Sequence, residues 1–190
     1  QDAWEAYDYV PLDRIKRDAQ MIRDAGLRVS MFDSSLLKFT LPGTNPVYSW
    51  PGLEGMYRKL GLTPEKLYRE RLSGLRRVLE VAALFGTRQV RAFTFWRVKD
   101  PAALFPRIAE LLNEMGEIAA RSGIRILVES ESGCNMASSA ETAALFKMMP
   151  GEALAINWDP ESSIDWERPF PDGYRLLPAR RIANLHVKYR

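Results

Sequence analysis

The order in which two kinds of periodicity follow one another limits the fold of this chain more than any other feature. Helix-like spacing and short β-rich runs alternate from Leu12 to Lys188. Leu12, Ile15, Ala19 and Ile22 recur at the 3.6-residue period of a helix, and Gly26 stands where a helix C-cap falls. The run Leu27 to Phe32 then reads as a strand. Thr63 and Pro64 mark the next helix start, an N-cap residue followed by Pro in the first turn. That helix runs to Phe85 and stops at Gly86, and Val90 to Trp96 reads as a strand. Pro101 to Arg121 is a helix, 124–129 a strand, and Ser138 with Glu141 a capping box opening a helix to Met149. Residues 153–159 form a strand, Pro171 to Ala179 a helix, and 182–188 the last strand.

This succession predicts a parallel sheet with helices packed outside it, an α/β fold. Five strands are expected, near residues 27–33, 89–96, 124–129, 153–159 and 182–188. They fit an open doubly wound sheet or part of a (β/α)8 TIM barrel. The chain opens at a helix and closes on a strand with no helix to cover it, which favours a barrel that is incomplete in this chain. No Gly-x-Gly-x-x-Gly follows any strand, so a nucleotide fold lacks its usual mark.

One domain over residues 1–190 accounts for the length. Hydrophobic residues make up 46% and charged residues 27%, the composition of a globular core rather than a disordered chain. No apolar run approaches the ~20 residues of a membrane helix. Gln1-Asp2-Ala3-Trp4 carries no basic stretch leading into an apolar one, so no secretory signal is expected there. Cys134 is the single cysteine, which excludes an internal disulfide and cysteine-based zinc binding and points to a reducing, cytoplasmic compartment. The net charge of +3 is spread out, and Arg76-Arg77 and Arg180-Arg181 read as solvated surface rather than nucleic-acid contacts. Neither nucleic acid nor membrane is an expected partner; a homo-oligomer is compatible with the sequence.

Three strands end in residues that can bind a metal: Glu129, Asp159 and His186. Thirty residues separate the first two and twenty-seven the second two, about one strand-helix unit each. The C-terminal ends of the strands form the active-site face of parallel α/β folds. Side chains alternate along a strand, so Leu127 falls in step with Glu129, Asn157 with Asp159, and Asn184 and Lys188 with His186. The alternate set, including Val128, Ile156, Trp158 and Leu185, is apolar and faces the helices. Two carboxylates and one imidazole suit a divalent ion such as Mn²⁺, Mg²⁺, Co²⁺ or Zn²⁺. Alone, each residue has a plainer explanation: turn chemistry for an Asp before Pro160, solvation for a Glu beside Ser130 and Glu131. Arg91 either faces the site and binds an anionic group or makes a buried ion pair. Asn157, Lys188 and Trp50 are further substrate-binding candidates. Trp50 lies in the Pro- and Gly-rich stretch Phe39 to Leu60, a lid or a surface excursion that packs its own aromatics. Cys134 is given no role.

Leu127-Val128-Glu129-Ser130, Asn157-Trp158-Asp159-Pro160, Pro171-Asp172-Gly173-Tyr174 and Asn184-Leu185-His186-Val187-Lys188 resemble the sugar phosphate isomerase/epimerase family of xylose isomerase-like TIM barrels. Gly26-Leu27-Arg28-Val29-Ser30 and Val90-Arg91-Ala92-Phe93 resemble its second and third strands, so the chain corresponds to about strands two to six. The resemblance implies that Glu129 is a metal ligand and acid/base, and that Asp159 and His186 are further ligands. It implies a small carbohydrate as substrate, isomerised or epimerised through an enediolate, or dehydration or mere binding of a related molecule. Ser162 stands where characterised ketose epimerases carry a substrate-binding His, and Tyr189 where an acidic residue is common. Epimerisation needs a second carboxylate, for which Glu131 and Glu161 are the nearby candidates. The DNA-repair endonucleases of this superfamily use a histidine-rich zinc cluster; a chain with one His does not fit that chemistry.

Overall fold

The computed structural model describes residues 7–188; Gln1-Asp2-Ala3-Trp4 and Tyr189 lie outside them. Four strands form one sheet in chain order: β1 (Gln89–Ala92), β2 (Arg125–Glu129), β3 (Leu154–Trp158) and β4 (Ile182–Leu185). Each neighbouring pair is parallel. The strand expected over 27–33 is reduced to a single parallel bridge between Phe32 and Val90. Phe32 donates to the Gln89 carbonyl at 2.8 Å and accepts from the Arg91 N–H at 2.9 Å. Of residues 27–33 only Phe32 is buried, so no apolar face supports a longer ladder.

Register sorts the sheet into two faces. Val90, Ile126 and Leu154 lie side by side, as do Ala92, Val128 and Ile156, and all are buried against the helices. Burial of the Val, Ile and Leu side chains among them contributes roughly 1.5–3 kcal/mol each. The other face carries Arg91 beside Leu127, and the row Glu129, Asn157, Asn184. That row depends on an irregularity: Ile156 pairs with Ile182, but Asn157 pairs with Asn184. The extra residue in β4, Ala183, is a bulge that brings Asn184 into step with Asn157.

The helices are α1 (Leu12–Asp24), α2 (Pro51–Lys59), α3 (Pro64–Arg69), α4 (Arg71–Phe85), α5 (Phe105–Arg121), α6 (Ser139–Phe146) and the one-turn α7 (Tyr174–Leu176). In α5, Phe105, Ile108, Leu112, Met115 and Ala119 are buried at helical spacing. Gly116 lets α5 approach the sheet: a Cβ there would lie 3.0 Å from Leu154 Cγ. Gly86, at φ 71°, closes α4 in the left-handed conformation. The capping box of α6 is present in both halves, Ser138 and Glu141 each accepting from the other's backbone.

Several boundaries differ from the sequence expectation. The helix predicted from Thr63 to Phe85 is interrupted at Glu70, which ends α3 and begins α4. Over residues 171–179 the one-turn α7 is the only α-helix: Pro169–Gly173 forms a π-helical turn before it, and Pro178 follows it, leading into a 3-10 turn from Ala179. The stretch Phe39 to Leu60 contains α2, with Pro51 at its first position. It is fastened to the segment after β1: Trp96 donates to the Phe39 carbonyl at 3.0 Å and Val47 to the Arg97 carbonyl at 2.7 Å. Tyr48 lies over Gly133, where a Cβ would clash with its ring. Among the described residues, no helix is long and apolar enough to cross a membrane.

Candidate metal centre

Glu129 ends β2, Asp159 follows β3 and His186 follows β4. The backbone N–H of His186 donates to the Trp158 carbonyl at 2.8 Å, which carries the parallel ladder one step past β4. One ligand atom from each of the three side chains lies within 4.8 Å of the others. The structure thus brings together the trio that spacing and parity select.

Asp159 serves two purposes with its two oxygens. Oδ1 accepts from the N–H groups of Glu161 at 3.1 Å and Ser162 at 3.3 Å, capping the short turn Pro160–Ser163. Oδ2 faces His186 Nδ1 at 3.6 Å. It is buried, and the Lys188 ammonium lies 2.5 Å away as an ion pair. Turn chemistry and site geometry are therefore both true of this residue.

Glu129 is fully buried and surrounded by donors. His186 Nδ1 lies 3.2 Å from Oε1, and Arg91 Nη1 and Asn157 Nδ2 donate to Oε2 at 3.2 and 2.5 Å. Asn184 in turn donates to Asn157 Oδ1 at 2.8 Å, so the row set by the β4 bulge is a hydrogen-bonded relay ending on Glu129. Burial alone would raise the Glu129 carboxyl; the His186 hydrogen bond and the Arg91 charge outweigh it and hold the group below the ordinary glutamate range. The same hydrogen bond raises His186, burial opposes it, and the charges of Glu129 and Asp159 add to the rise.

The four substrate-binding candidates are disposed differently. Arg91 faces the site, but its guanidinium is engaged: Nε lies 2.5 Å from Asp33 Oδ1, and Nη1 holds Glu129. The ion-pair alternative describes its contacts. Asn157 is buried between Glu129 and Asn184. Lys188 pairs with Asp159 and stands 3.9 Å from Glu161. Trp50 joins a cage around Lys38 rather than the trio: its indole lies 5.9 Å from the Lys38 ammonium, as does that of Trp96, and Phe93 is at 4.0 Å. Lys38 pairs with Glu131 at 3.2 Å. Trp158 packs on Tyr174 of α7 on the outer side of the sheet.

Asp33 and Lys38 are the members of this network that sequence reasoning missed. Asp33 follows Phe32, so the strand-end rule that selects Glu129 and Asp159 also reaches it. Lys38 has no comparable signal, since its direction depends on the left-handed turn at Leu37, φ 62°.

A divalent ion fits this donor set. Five carboxylates (Asp33, Glu129, Glu131, Asp159 and Glu161) share the network with three cations (Lys38, Arg91 and Lys188). Two carboxylates and an imidazole converge there, and Asp159 Oδ2 is buried where His186 and Lys188 meet. Hard oxygen ligands with one imidazole are compatible with magnesium, manganese or zinc.

With fold and site in hand, the kinship of the chain is clear. The profile of the xylose isomerase-like TIM barrel family matches residues 2–189, and the chain belongs to that family. A search of curated proteins finds no match. Solved structures with the same fold include a xylose isomerase-like TIM barrel protein from Mycobacterium smegmatis in complex with magnesium, 18% identical, TM-score 0.67, covering 95% of this chain and 57% of that one. The 3-keto-D-glucoside 4-epimerase YcjR of E. coli is 14% identical, TM-score 0.66, covering 94% and 65%. The probable 3-DHS dehydratase AsbF of Bacillus anthracis is 17% identical, TM-score 0.62, covering 96% and 57%. The chain thus spans between 57% and 65% of the length of these three structures.

Proposed function

We propose that the chain carries the centre of a divalent-metal-dependent isomerase or epimerase acting on a small carbohydrate, with Glu129, Asp159 and His186 as ligands and Glu129 as the proton carrier. The observation that carries this reading is the convergence of those three ligand atoms within 4.8 Å at the C-terminal ends of successive parallel strands. Family membership supports it, as do an epimerase and a magnesium complex among proteins of the same fold.

Glu129 is ionised at neutral pH because Arg91, Asn157 and His186 all favour its charged form. It is therefore ready to accept a proton from a carbon beside a carbonyl. The partners that keep it anionic also weaken it as a base. A divalent ion, when bound, supplies polarisation of the substrate carbonyl and so lowers the acidity barrier Glu129 faces. Arg91 and the Asn184–Asn157 relay fix the carboxylate's orientation, which limits the face of the substrate from which a proton is taken. Glu131 and Glu161 are the proposed sources of a second carboxylate for epimerisation. The cytoplasm is the proposed compartment, on the strength of the lone cysteine.

The test is proton exchange. With MnCl2 and ketoses such as L-ribulose and D-fructose in D2O, NMR is expected to show deuterium entering beside the carbonyl. Glu129→Gln lowers that rate by roughly 10²–10⁴; an undiminished rate in the variant contradicts the assignment. Loss of water from a sugar acid in place of exchange would identify the site as a dehydratase.

A further inference from the structure

We infer that Lys188 is a tethered cation that competes with the divalent ion for Asp159 and moves to Glu161 when the ion binds. The inference rests on the metal reading above and concerns how strongly that site holds its ion.

The Lys188 ammonium lies 2.5 Å from Asp159 Oδ2, the oxygen that also faces His186. The contact is a close ion pair. An ion held by Oδ2 and His186 would lie within a few ångströms of that ammonium. Charges of like sign at such separation in a half-buried site repel strongly, so the ion and the ammonium do not share the oxygen. Lys188 has a short escape. Glu161 Oε2 is already 3.9 Å from Nζ, and Glu161 is held nearby because Asp159 Oδ1 caps its N–H at 3.1 Å. A rotation of the lysine side chain exchanges one carboxylate for the other while the backbone stays fixed. Lys188 is itself about one third exposed, so the movement needs no opening of the core.

Two variants give opposite signs. Lys188→Met removes the competitor, and Glu161→Gln removes the place to which it retreats. Both changes lie at the rim, and circular dichroism melts check that each variant folds. Titration calorimetry with MnCl2, at one pH and ionic strength, is expected to show about fivefold tighter binding for Lys188→Met, the scale of one ion pair no longer displaced. Glu161→Gln is expected to bind about threefold more weakly. Manganese binding in the wild type that is unchanged or weakened by Lys188→Met overturns the inference and leaves the metal reading standing. Absence of manganese binding in all three proteins overturns both.

Discussion

Glu129 has no exposed surface, yet it carries a charge. That combination is sustained by the His186 hydrogen bond and then by Arg91, whose guanidinium divides itself between Glu129, Asp33 and the Ser34 carbonyl and lies 4.5 Å from the Phe93 ring centre. Arg91→Met leaves a buried carboxylate without its counter-charge, which costs roughly 3–5 kcal/mol; urea denaturation at neutral pH measures it. Cys134 makes a contrasting case. Burial pushes its thiol up to about 12, so the native chain should resist alkylating reagents at pH 8 and react only once unfolded. Rapid labelling of the folded protein would contradict that. At this scale the sequence was legible where the signal is local. Glu129, Asp159 and His186 are found by strand ends and alternation, both fixed by backbone geometry. Their partners are not found that way. Nothing in the order of residues states that Arg91 spends its charge on Asp33 and Glu129, or that Lys188 turns to Asp159, because those pairings depend on which neighbour lies across a gap. Leu37 and Phe95, both buried and non-glycine, hold φ near 60°, a conformation costing roughly 1–3 kcal/mol that no sequence pattern announces.

Among the elements, the junction between β2 and α6 bears most directly on the site. Glu141 accepts from the backbone N–H groups of Ala137 and Ser138 and takes two bonds from Arg97, at 2.7 and 3.2 Å. It therefore ties the start of α6 to the segment after β1. Burial pushes its carboxyl up, but Arg97 and the two N–H groups prevail and lower it. A carboxylate lowered in the folded state stabilises the fold above the ordinary glutamate value of 4.5, and that stability is lost as pH falls through the lower folded value. Glu141→Ala should cost about 2 kcal/mol at pH 7, with the difference from wild type shrinking in acid. A pH-independent difference would mean that packing, not charge, is at stake. The capping box was readable in advance since its two residues are three apart. Strand ends and the break at Glu70 were not, because they depend on the partner each segment meets: residues 27–33 alternate like a strand but bury only Phe32. The bulge at Ala183 lies in the same class, and it decides that Asn184 meets Asn157.

At the scale of the whole molecule, charge is distributed unevenly. The chain as a whole is mildly basic, but the C-terminal ends of the strands gather five carboxylates, Asp33, Glu129, Glu131, Asp159 and Glu161, around Lys38, Arg91, Lys188 and His186. An ion bound there stabilises the fold by mass action, about 2.7 kcal/mol at a hundredfold excess over its Kd. MnCl2 should raise the melting temperature of the wild type and not that of Asp159→Asn. The parallel α/β architecture and the face that gathers Glu129, Asp159 and His186 were legible because they follow from the succession of elements and from alternation along strands. The three ligand atoms define one point in space. Crystals soaked in MnCl2, with diffraction recorded near the manganese absorption edge, test it most directly. A single strong anomalous peak within ligand distance, roughly 2.0–2.3 Å, of Glu129, Asp159 and His186 is the predicted result. A peak elsewhere, or none with the three side chains well ordered, would contradict the account.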